Sequence, residues 1–459
     1  MTDYIASLAV VVGVGIPLLV AMTRHRGPEA RVIQASFVAH ILAALAVVWM
    51  TTNIYRGGDM LGYHFQGVAL ANLLRRDVVG VLPEVLRIIA HQDVRLPIEV
   101  VATGSTTGAM AGIVALLAVM VADSLYAECI LTAMLAFAGK VLMFRALRPS
   151  FPKSSHAVVA ASILLVPSVV YWSSGIAKEA FAIASMGPAF LGLRYMLDGR
   201  WGRGLAIALI GCLGVAAVKP YILFAIVGSG SIWIVAHRTA KIRGTAKVLV
   251  KPVYLVAGLA VAMGGFALLG DLFPRFAFDN LAEEAARLQG IGALVGGGSY
   301  YEMGDATQRT LAGQLAFAPL AVVTALFRPF VFEANNAQAG IAALETTALL
   351  YLLIRAMIRT GPTVIVAHVL RSPTLLFCLA FVLVLAVPVG LSTTNMGTLS
   401  RYRMPLVPCL ALLLIASSRP SRFSPLVPTT RLSKPSPLAA AARRRNQTNG
   451  RAIGNSVPI

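Results

Sequence analysis

A short stretch that contains glycines, a carboxylate and three ring side chains, Tyr55–His64, follows the second apolar block of the chain. Asp59 comes directly after a pair of glycines, which allow another molecule to approach the backbone closely. A carboxylate in such a position can act as general base for a hydroxyl nucleophile, if the proton lies within hydrogen-bond reach. Tyr63 and His64 lie about one turn further along in a helix, so both are candidate substrate-binding residues. The alternative is an interfacial turn with a tyrosine at the membrane surface.

A second cluster places charges at the start of an apolar block. Lys178 and Glu179 follow an aromatic pair and a Ser-Ser-Gly turn. Charges that enter an apolar block are costly, and they are usually paired or functional. Lys178 could bind a phosphate oxygen, and Glu179 suits the positive end of a helix dipole. A lysine that only anchors the helix end at the interface is the alternative. Lys219, before Pro220, is a weaker case of the same kind.

Arginines form the remaining clusters. Arg328 precedes Glu333 by five positions, and Arg401 and Arg403 flank a tyrosine. A guanidinium group offers two parallel donors to a phosphate or diphosphate, so arginines on one face of the protein predict a shared anion-binding pocket. The alternative for each cluster is a structural ion pair between loops.

The composition determines what kind of scaffold must position these residues. Of the 459 residues, 58% are hydrophobic and 13% are charged, whereas a soluble domain carries about a quarter charged residues. The apolar residues form continuous blocks of about the length that crosses a bilayer as a helix, roughly 17–25 residues. Strands of a membrane barrel would alternate apolar and polar positions. The sequence therefore predicts an all-α, polytopic transmembrane helical bundle with about ten to thirteen membrane helices.

The basic residues indicate how the chain is oriented. The net charge is +20, but lysines and arginines lie in short connections between apolar blocks and in the C-terminal segment, as the positive-inside rule expects. This distribution argues against nucleic acid as a partner. We expect a transmembrane domain over 1–418, with extracytoplasmic loops at 51–107, 271–310 and 393–403. We expect 419–459 to be a basic, disordered cytoplasmic tail.

One apolar block leaves the orientation open. If residues 51–107 are outside and Arg145 is inside, the residues between them must cross the membrane an odd number of times. Two apolar blocks lie there, Gly108–Ala122 and Leu125–Phe144. The first is short and follows Gly-Ser-Thr-Thr-Gly, so we interpret it as re-entrant or half-inserted. In the alternative, the first two helices are flipped and Asp59 faces the cytoplasm.

In this order the motifs resemble those of multi-pass glycosyltransferases of the GT-C type, which use polyprenyl-phosphate sugars in bacterial envelope polysaccharide synthesis. The resemblance covers most of the chain in topology but only four short motifs in residues. These motifs are Gly57-Gly58-Asp59 with Tyr63-His64, Pro167-Ser168 with Trp172 to Glu179, Arg328-Pro329-Phe330 with Glu333, and Asn395 to Pro405.

The resemblance implies roles for the candidate residues. Asp59 would deprotonate the acceptor hydroxyl or contact a metal ion. The lipid phosphate would be held by Lys178, Arg401 and Arg403, and Tyr63, His64 and Glu333 would orient the sugar or the acceptor. The paired acids that usually bind a metal in such enzymes are missing around Asp59. The sequence therefore leaves open whether the protein binds a divalent cation, and it indicates no other cofactor.

The resemblance also implies a location and partners. We expect the inner membrane of a bacterium, a polyprenyl-phosphate sugar or lipid-linked saccharide as ligand, and envelope-assembly proteins as further partners. An O-antigen or exopolysaccharide polymerase is a related alternative. A transporter or flippase predicts charges in mid-helix, and Lys140 and Glu345 lie within apolar blocks, although no two-fold repeat accompanies them. A non-catalytic scaffold of an envelope complex is the third alternative.

Overall fold

The computed structural model describes residues 2–23, 27–240, parts of 253–273, 278–295, 300–301, 310–334 and 337–423. Within these ranges every regular element is a helix, and a lone β-bridge joins Tyr300 to Asn395. The chain is therefore an all-α polytopic helical bundle, as the sequence predicts. Loop 271–310 and tail 419–459 are described only in part. The start of the tail is a short helix, Pro420–Phe423, and not disordered as expected, and the rest of the tail lies outside the described residues.

The first half of the chain forms helices that we number in chain order. They are α1 (Thr2–Val10), α2 (Ile16–Thr23), α3 (Glu29–Trp49), α4 (Asp59–Arg76), α5 (Val78–Ile89), α6 (Thr106–Met120), α7 (Leu125–Leu147), α8 (His156–Leu164), α9 (Pro167–Trp172), α10 (Lys178–Leu197), α11 (Trp201–Val218) and α12 (Pro220–Ala240). Stretches of π-helix continue α1 and α3, at Val11–Gly15 and Met50–Tyr55.

The described part of the second half continues the series. Its helices are α13 (Phe278–Val295), α14 (Leu311–Ala316), α15 (Ala318–Phe327), α16 (Ala337–Thr360), α17 (Pro362–Arg371), α18 (Pro373–Ser392), α19 (Met396–Tyr402), α20 (Val407–Ser418) and α21 (Pro420–Phe423). Short 3₁₀ turns lie at Arg148–Ser150, Lys153–Ser155 and Val331–Glu333.

Eight helices within the described ranges are long and apolar enough to cross a membrane, and a ninth span results if α19 and α20, bent by 75°, are counted together. The eight are Asp3–Thr23, Glu29–Tyr55, Leu125–Ser150, Lys178–Leu197, Trp201–Val218, Pro220–Ala240, Ala339–Thr360 and Pro373–Ser392. This number is below the expected ten to thirteen for three reasons. The block Ala157–Trp172 is broken between α8 and α9, α6 and α15 are short, and the block Val253–Leu272 is only partly described.

Helices α3 and α7 run antiparallel through the bundle. At one end Glu29, in the first turn of α3, pairs with Arg148, just after α7, at 3.0 Å. At the other end α3 leads toward Asp59, and His64 of α4 bonds to Glu128 in the first turn of α7 at 2.8 Å. We call these the Arg148 end and the Asp59 end. The segment between α3 and α7 leaves from and returns to the Asp59 end, so it does not cross the bundle.

That segment forms a layer of three helices, α4 to α6. Gly67 of α4 lies directly against Val114 of α6, and buried Val85 and Ile88 attach α5 to the same layer. The arrangement fits the half-inserted interpretation of Gly108–Ala122. It requires no flip of the first two helices, since the ends of α2 and α7 then lie at the same end of the bundle.

The connections at the Arg148 end carry many basic side chains. Arg145 donates to the carbonyl groups of Ala21 and Met22, which links the end of α2 to the end of α7. Further basic residues in these connections and helix ends are Arg31, Lys153, Arg200, Arg203, Arg238, Arg355, Arg359, Arg371, Arg419 and Arg422. The positive-inside rule would place this end in the cytoplasm.

Glycines bring the central helices into close contact. A Cβ on Gly187 of α10 would come within 2.3 Å of the carbonyl oxygen of Gly139 in α7, and a Cβ on Gly192 would come within 2.4 Å of the backbone of Ala208 in α11. Small residues allow membrane helices to approach in this way, because van der Waals packing replaces the hydrophobic effect in lipid. The packing fixes the N-terminal turn of α10, where Lys178 and Glu179 lie.

Candidate functional site

The ends of several helices meet at the Asp59 end of the bundle. Asp59 is the first residue of α4, Lys178 and Glu179 open α10, Lys219 joins α11 to α12, and Arg401 lies in the last turn of α19. The chain can turn sharply before Asp59 because Gly58 has a φ of 106°, a conformation that glycine adopts without strain. Residues far apart in the sequence thus form one cluster.

Four of these side chains form a chain of ion pairs. Arg401 Nη1 donates to Asp59 Oδ2 at 2.9 Å, and Arg401 Nε lies 2.9 Å from Glu179 Oε1. Lys219 Nζ contacts the same Glu179 oxygen at 2.6 Å. The side chain of Glu179 is fully buried, whereas that of Asp59 is 57% exposed. Glu179 therefore holds Lys219 and Arg401 from the buried side, and Asp59 contacts Arg401 on the side that faces solvent.

Lys178 is held differently from the other two cations. Its Nζ donates to the hydroxyl oxygens of Thr106 and Thr107, at 2.9 Å each. Ser105 caps α6 by accepting from Thr107 N, which places both threonines in the first turn of that helix. Among the described residues no carboxylate pairs with Lys178. Its charge is therefore neutralised less completely than that of Lys219 or Arg401.

Lys219 is enclosed by aromatic rings. Its Nζ lies 3.9 Å from the centroid of the Tyr402 ring and 3.2 Å from the Tyr221 hydroxyl. An ammonium group over a tyrosine face is attracted by the ring quadrupole. Lys219 is only 5% exposed, so its main role is to fix the positions of Glu179 and Tyr402. It also forms a small part of the wall of the site.

Two cavities meet at this cluster. We call the first the polar chamber; it has a volume of about 370 Å³, and its lining includes Gly62, Tyr63, Gln66, Thr107, Lys178, Lys219 and Tyr402. We call the second the apolar groove; it has a volume of about 480 Å³, and its lining includes Val47, Tyr55, Met60, Tyr171, Trp172 and Ile176. Gly58, Asp59 and Arg401 line both cavities and form the junction between them.

The charges at the site do not cancel. Three cations (Lys178, Lys219 and Arg401) face two carboxylates (Asp59 and Glu179), which leaves one positive charge in excess. Partly buried charges act at a lower effective dielectric constant than charges in water, so this excess favours an anion strongly. Burial raises the pKa of Tyr63, and the nearby Asp59 adds to this, so the phenol stays neutral. The arrangement can therefore bind an anionic group and donate hydrogen bonds to it.

Three predicted residues lie in a separate cluster beside the junction. Arg328 pairs with Glu333 at 2.5 Å, and its guanidinium group lies 4.4 Å from the centroid of the Tyr301 ring. Arg403 is buried and donates to the Arg328 carbonyl oxygen at 2.6 Å. None of the three lines either cavity. The cluster joins α19 to the connection between α15 and α16, so it supports the junction rather than forming it.

The Glu333 carboxyl is more acidic than an ordinary glutamate. Burial alone would raise its pKa, but the hydrogen bonds from Arg328 and from Phe330 N outweigh burial and hold the pKa below its usual value. The carboxylate is therefore charged at neutral pH and locks the loop in place.

His64 faces away from the polar chamber. Its Nδ1 bonds to the fully buried carboxylate of Glu128 in α7 at 2.8 Å, and Glu128 is a residue that the sequence motifs do not indicate. In a helix that begins at Asp59, Tyr63 falls on the same face as Asp59, whereas His64 is turned by about 100° from Tyr63. The structure thus brings Asp59, Tyr63, Lys178, Glu179, Lys219 and Arg401 together and leaves His64, Arg328, Glu333 and Arg403 outside the cavities.

Several functional candidates could not be recognised in the sequence. Thr106, Thr107 and Gln66 are uncharged polar residues, which are common in loops and helix starts, and only their contacts make them distinctive. A possible signal was the Gly-Ser-Thr-Thr-Gly stretch, in which Ser105 is a good helix N-cap.

The described residues hold no group of three or more His, Cys, Asp or Glu side chains that could bind a metal ion. The donor set at the junction, two carboxylates with three cations, also suits an anion better than a cation. Comparisons with protein-family models, with curated proteins and with solved structures find no match for this chain.

Proposed function

We propose that the chain is a membrane glycosyltransferase of the GT-C kind that transfers a sugar from a polyprenyl-phosphate donor to an acceptor during bacterial envelope or exopolysaccharide synthesis. In this proposal the Asp59 end faces the extracytoplasmic side of the plasma membrane, and the basic tail is cytoplasmic. The observation that carries the proposal is the junction at Asp59 and Arg401, where a cationic polar chamber adjoins an apolar groove.

A lipid phosphate fits the two cavities together. The apolar groove is lined by aliphatic and aromatic side chains between α3 and α9, and it could take the first units of a prenyl chain. The phosphate would then lie at the junction, where Arg401 offers a planar pair of donors, and within reach of the Lys178 ammonium. A free anion would use only the polar part of the site, and an uncharged lipid would use only the groove.

The proposed reaction moves one proton and one sugar. The acceptor hydroxyl gives its proton to the Asp59 carboxylate, and its oxygen forms a bond to the anomeric carbon of the donor. The bond between that carbon and the phosphate oxygen breaks, and its electron pair leaves with the polyprenyl phosphate. Lys178 and Arg401 stabilise the charge that develops on the leaving phosphate.

The donor itself would prepare Asp59 for this role. Without a ligand, Arg401 Nη1 is bonded to Asp59 at 2.9 Å, which makes the carboxylate a weaker proton acceptor. A phosphate that competes for Arg401 frees an oxygen of Asp59 for the acceptor hydroxyl. Because Glu179 and Lys219 hold Arg401 from the buried side, the guanidinium stays at the junction while it changes partners.

A transporter or flippase remains the second candidate. Lys140 is fully buried within α7, and among the described residues its side-chain nitrogen has no hydrogen-bond partner. Ionisable side chains inside a membrane protein often mark a transport pathway. Glu345, the other mid-block charge, instead accepts bonds from Ser168 N and Oγ at the start of α9, which is a structural role. Both cavities lie at one end of the bundle, so the site favours transfer over transport.

A turnover assay tests the proposal. Purified full-length protein in lipid nanodiscs would be incubated with prenyl-phosphate monosaccharides and sugar acceptors, and the release of prenyl phosphate would be measured. We expect turnover that falls by about 10²–10⁴-fold in Asp59→Asn, because the base is lost while the contact with Arg401 is kept. Asp198→Asn, which alters an exposed ion pair with Arg194 at the Arg148 end, is the matched control. Equal turnover in all three proteins would remove Asp59 from the chemistry.

A further inference from the structure

The polar chamber has a wall that neither the ion pairs nor the proposed phosphate contacts use. Gly62, Tyr63 and Gln66 of α4 form it, and none of the three lines the apolar groove. A group attached to a phosphate at the junction, on the side opposite the lipid, would enter this part of the chamber.

The Gln66 side chain is oriented by the backbone. Its Oε1 accepts a hydrogen bond from Val101 N at 3.1 Å, so the oxygen is turned to the loop before α6. The Nε2 amide is then the free end of the side chain, and within the described residues it has no hydrogen-bond partner. An amide that presents two N–H donors beside the neutral phenol of Tyr63 suits the hydroxyl groups of a sugar.

Gly62 gives the chamber its space. A Cβ built at this position meets no atom within 4 Å, so the glycine is not required by helix packing. Its backbone φ is also not in the left-handed region, because Gly58 is the only glycine of this turn that carries a positive φ. A side chain at position 62 would therefore project into the chamber without disturbing α4.

We infer that this wall is the subsite for the transferred sugar, a single sugar ring that fills the space over Gly62 and accepts hydrogen bonds from Gln66. The inference rests on the proposed function and adds the position and size of the donor's sugar. A volume of about 370 Å³ lies near the lower end of the range for ligand pockets, roughly 300–1,000 Å³. It holds one ring next to a phosphate, and a longer saccharide would extend out of the chamber.

Binding of two ligands separates this subsite from the phosphate site. The probes are a short-chain prenyl phosphate and the same lipid carrying one hexose on its phosphate. Gly62→Ala and Gly62→Leu add side chains of increasing size to the chamber. Gly202→Leu is the control, because Gly202 in α11 also has open space around its Cβ and lies at the Arg148 end.

We expect Gly62→Leu to weaken binding of the hexose-bearing lipid by about tenfold or more, because a misfit of even one methylene group in a pocket already costs about tenfold. Gly62→Ala should have a smaller effect in the same direction, and binding of the bare prenyl phosphate should stay within about twofold in both variants. Gly202→Leu should bind both ligands like the wild type. The thermal unfolding temperature should not fall in any of the three, since leucine and alanine favour helix over glycine.

Other outcomes would overturn the inference. If Gly62→Leu weakens both ligands equally, position 62 belongs to the phosphate site. If it weakens neither, the sugar lies elsewhere, although the proposed function would still stand. If the wild type binds neither ligand, the proposed function fails together with the subsite. Gln66→Ala gives an independent check, because it should also weaken only the hexose-bearing lipid.

Discussion

Arg401 and Asp59 lie 342 positions apart in the chain, and their side chains meet at 2.9 Å at the point where the polar chamber adjoins the apolar groove. The contact joins α19, near the end of the helical domain, to the first residue of α4. Any ligand that spans both cavities must pass this pair. The relationship explains why two motifs at opposite ends of the sequence serve one site.

Neutralising Lys178 should weaken phosphate binding. Among the described residues Lys178 bonds to two threonine hydroxyls and pairs with no carboxylate, so a bound phosphate would be its first directly paired anion. A charged hydrogen bond contributes about 1.5–3 kcal/mol, so Lys178→Gln should weaken prenyl-phosphate binding by about 10- to 100-fold. The matched control is Lys153→Gln, at an exposed lysine after α7. Isothermal titration would measure both, and equal affinities in the two variants would remove Lys178 from the binding site.

Removing the charge of Glu179 should destabilise the fold. Glu179 is fully buried and pairs with both Lys219 and Arg401, so Glu179→Gln leaves Lys219 without a carboxylate and Arg401 with Asp59 alone. Breaking a buried ion pair costs about 3–5 kcal/mol. Glu84→Gln, in a surface pair with Arg87, should cost less than about 1 kcal/mol. Thermal unfolding in one detergent compares the variants, and similar unfolding temperatures would show that the buried network contributes little.

Filling the contact between α7 and α10 should impair folding. A Cβ on Gly187 would lie 2.3 Å from the Gly139 carbonyl oxygen, so valine at position 187 must push the helices apart. Overpacking of this kind costs about 1–3 kcal/mol and occasionally more. We expect Gly187→Val to lower the yield of monodisperse protein in size-exclusion chromatography. Gly202→Val, with open space around its Cβ, should behave like the wild type, and a normal Gly187→Val profile would contradict the close packing.

The contribution of Glu333 to stability should depend on pH. Its folded-state pKa is below the ordinary value of 4.5 because the bonds from Arg328 and Phe330 N outweigh burial. A lowered pKa means that the stabilisation is complete above the unfolded-state pKa and is lost as the pH falls through the folded-state pKa. Glu333→Gln should therefore cost about 1.5–3 kcal/mol at neutral pH. Thermal unfolding at pH 7 and near pH 3 checks this, and an equal difference from the wild type at both pH values would contradict it.

The sequence predicts the membrane-embedded body well because continuous apolar blocks have few alternatives in lipid. It predicts the number of passes less well. The block Ala157–Trp172 is continuous in hydropathy, yet it breaks between α8 and α9, where Pro167 starts a new helix. Gly108–Ala122 is as apolar as a membrane span, but α6 packs on α4 and α5 at one end of the bundle. Both outcomes depend on tertiary packing that hydropathy does not record.

The site was predictable where a charge is out of place. Lys178, Glu179 and Arg401 stand out because charges at apolar blocks or on the less basic side are unusual. Their pairing was not predictable, since nothing local connects Asp59 with Arg401. Helical phase could have separated Tyr63 from His64 once the start of α4 was known. Gln66 and the threonines of α6 carry no such signal, because only the fold makes them part of a cavity.

Binding of a lipid phosphate tests the proposed site most directly. Wild-type protein in nanodiscs would be titrated with a short-chain prenyl phosphate, with the corresponding prenyl alcohol and with inorganic phosphate, and Arg401→Gln would be titrated in parallel. We expect the prenyl phosphate to bind much more tightly than either fragment and to lose about tenfold or more of its affinity in Arg401→Gln. Prenyl alcohol binding as tightly as prenyl phosphate, or an affinity unchanged in Arg401→Gln, would contradict a lipid-phosphate site at the Asp59–Arg401 junction.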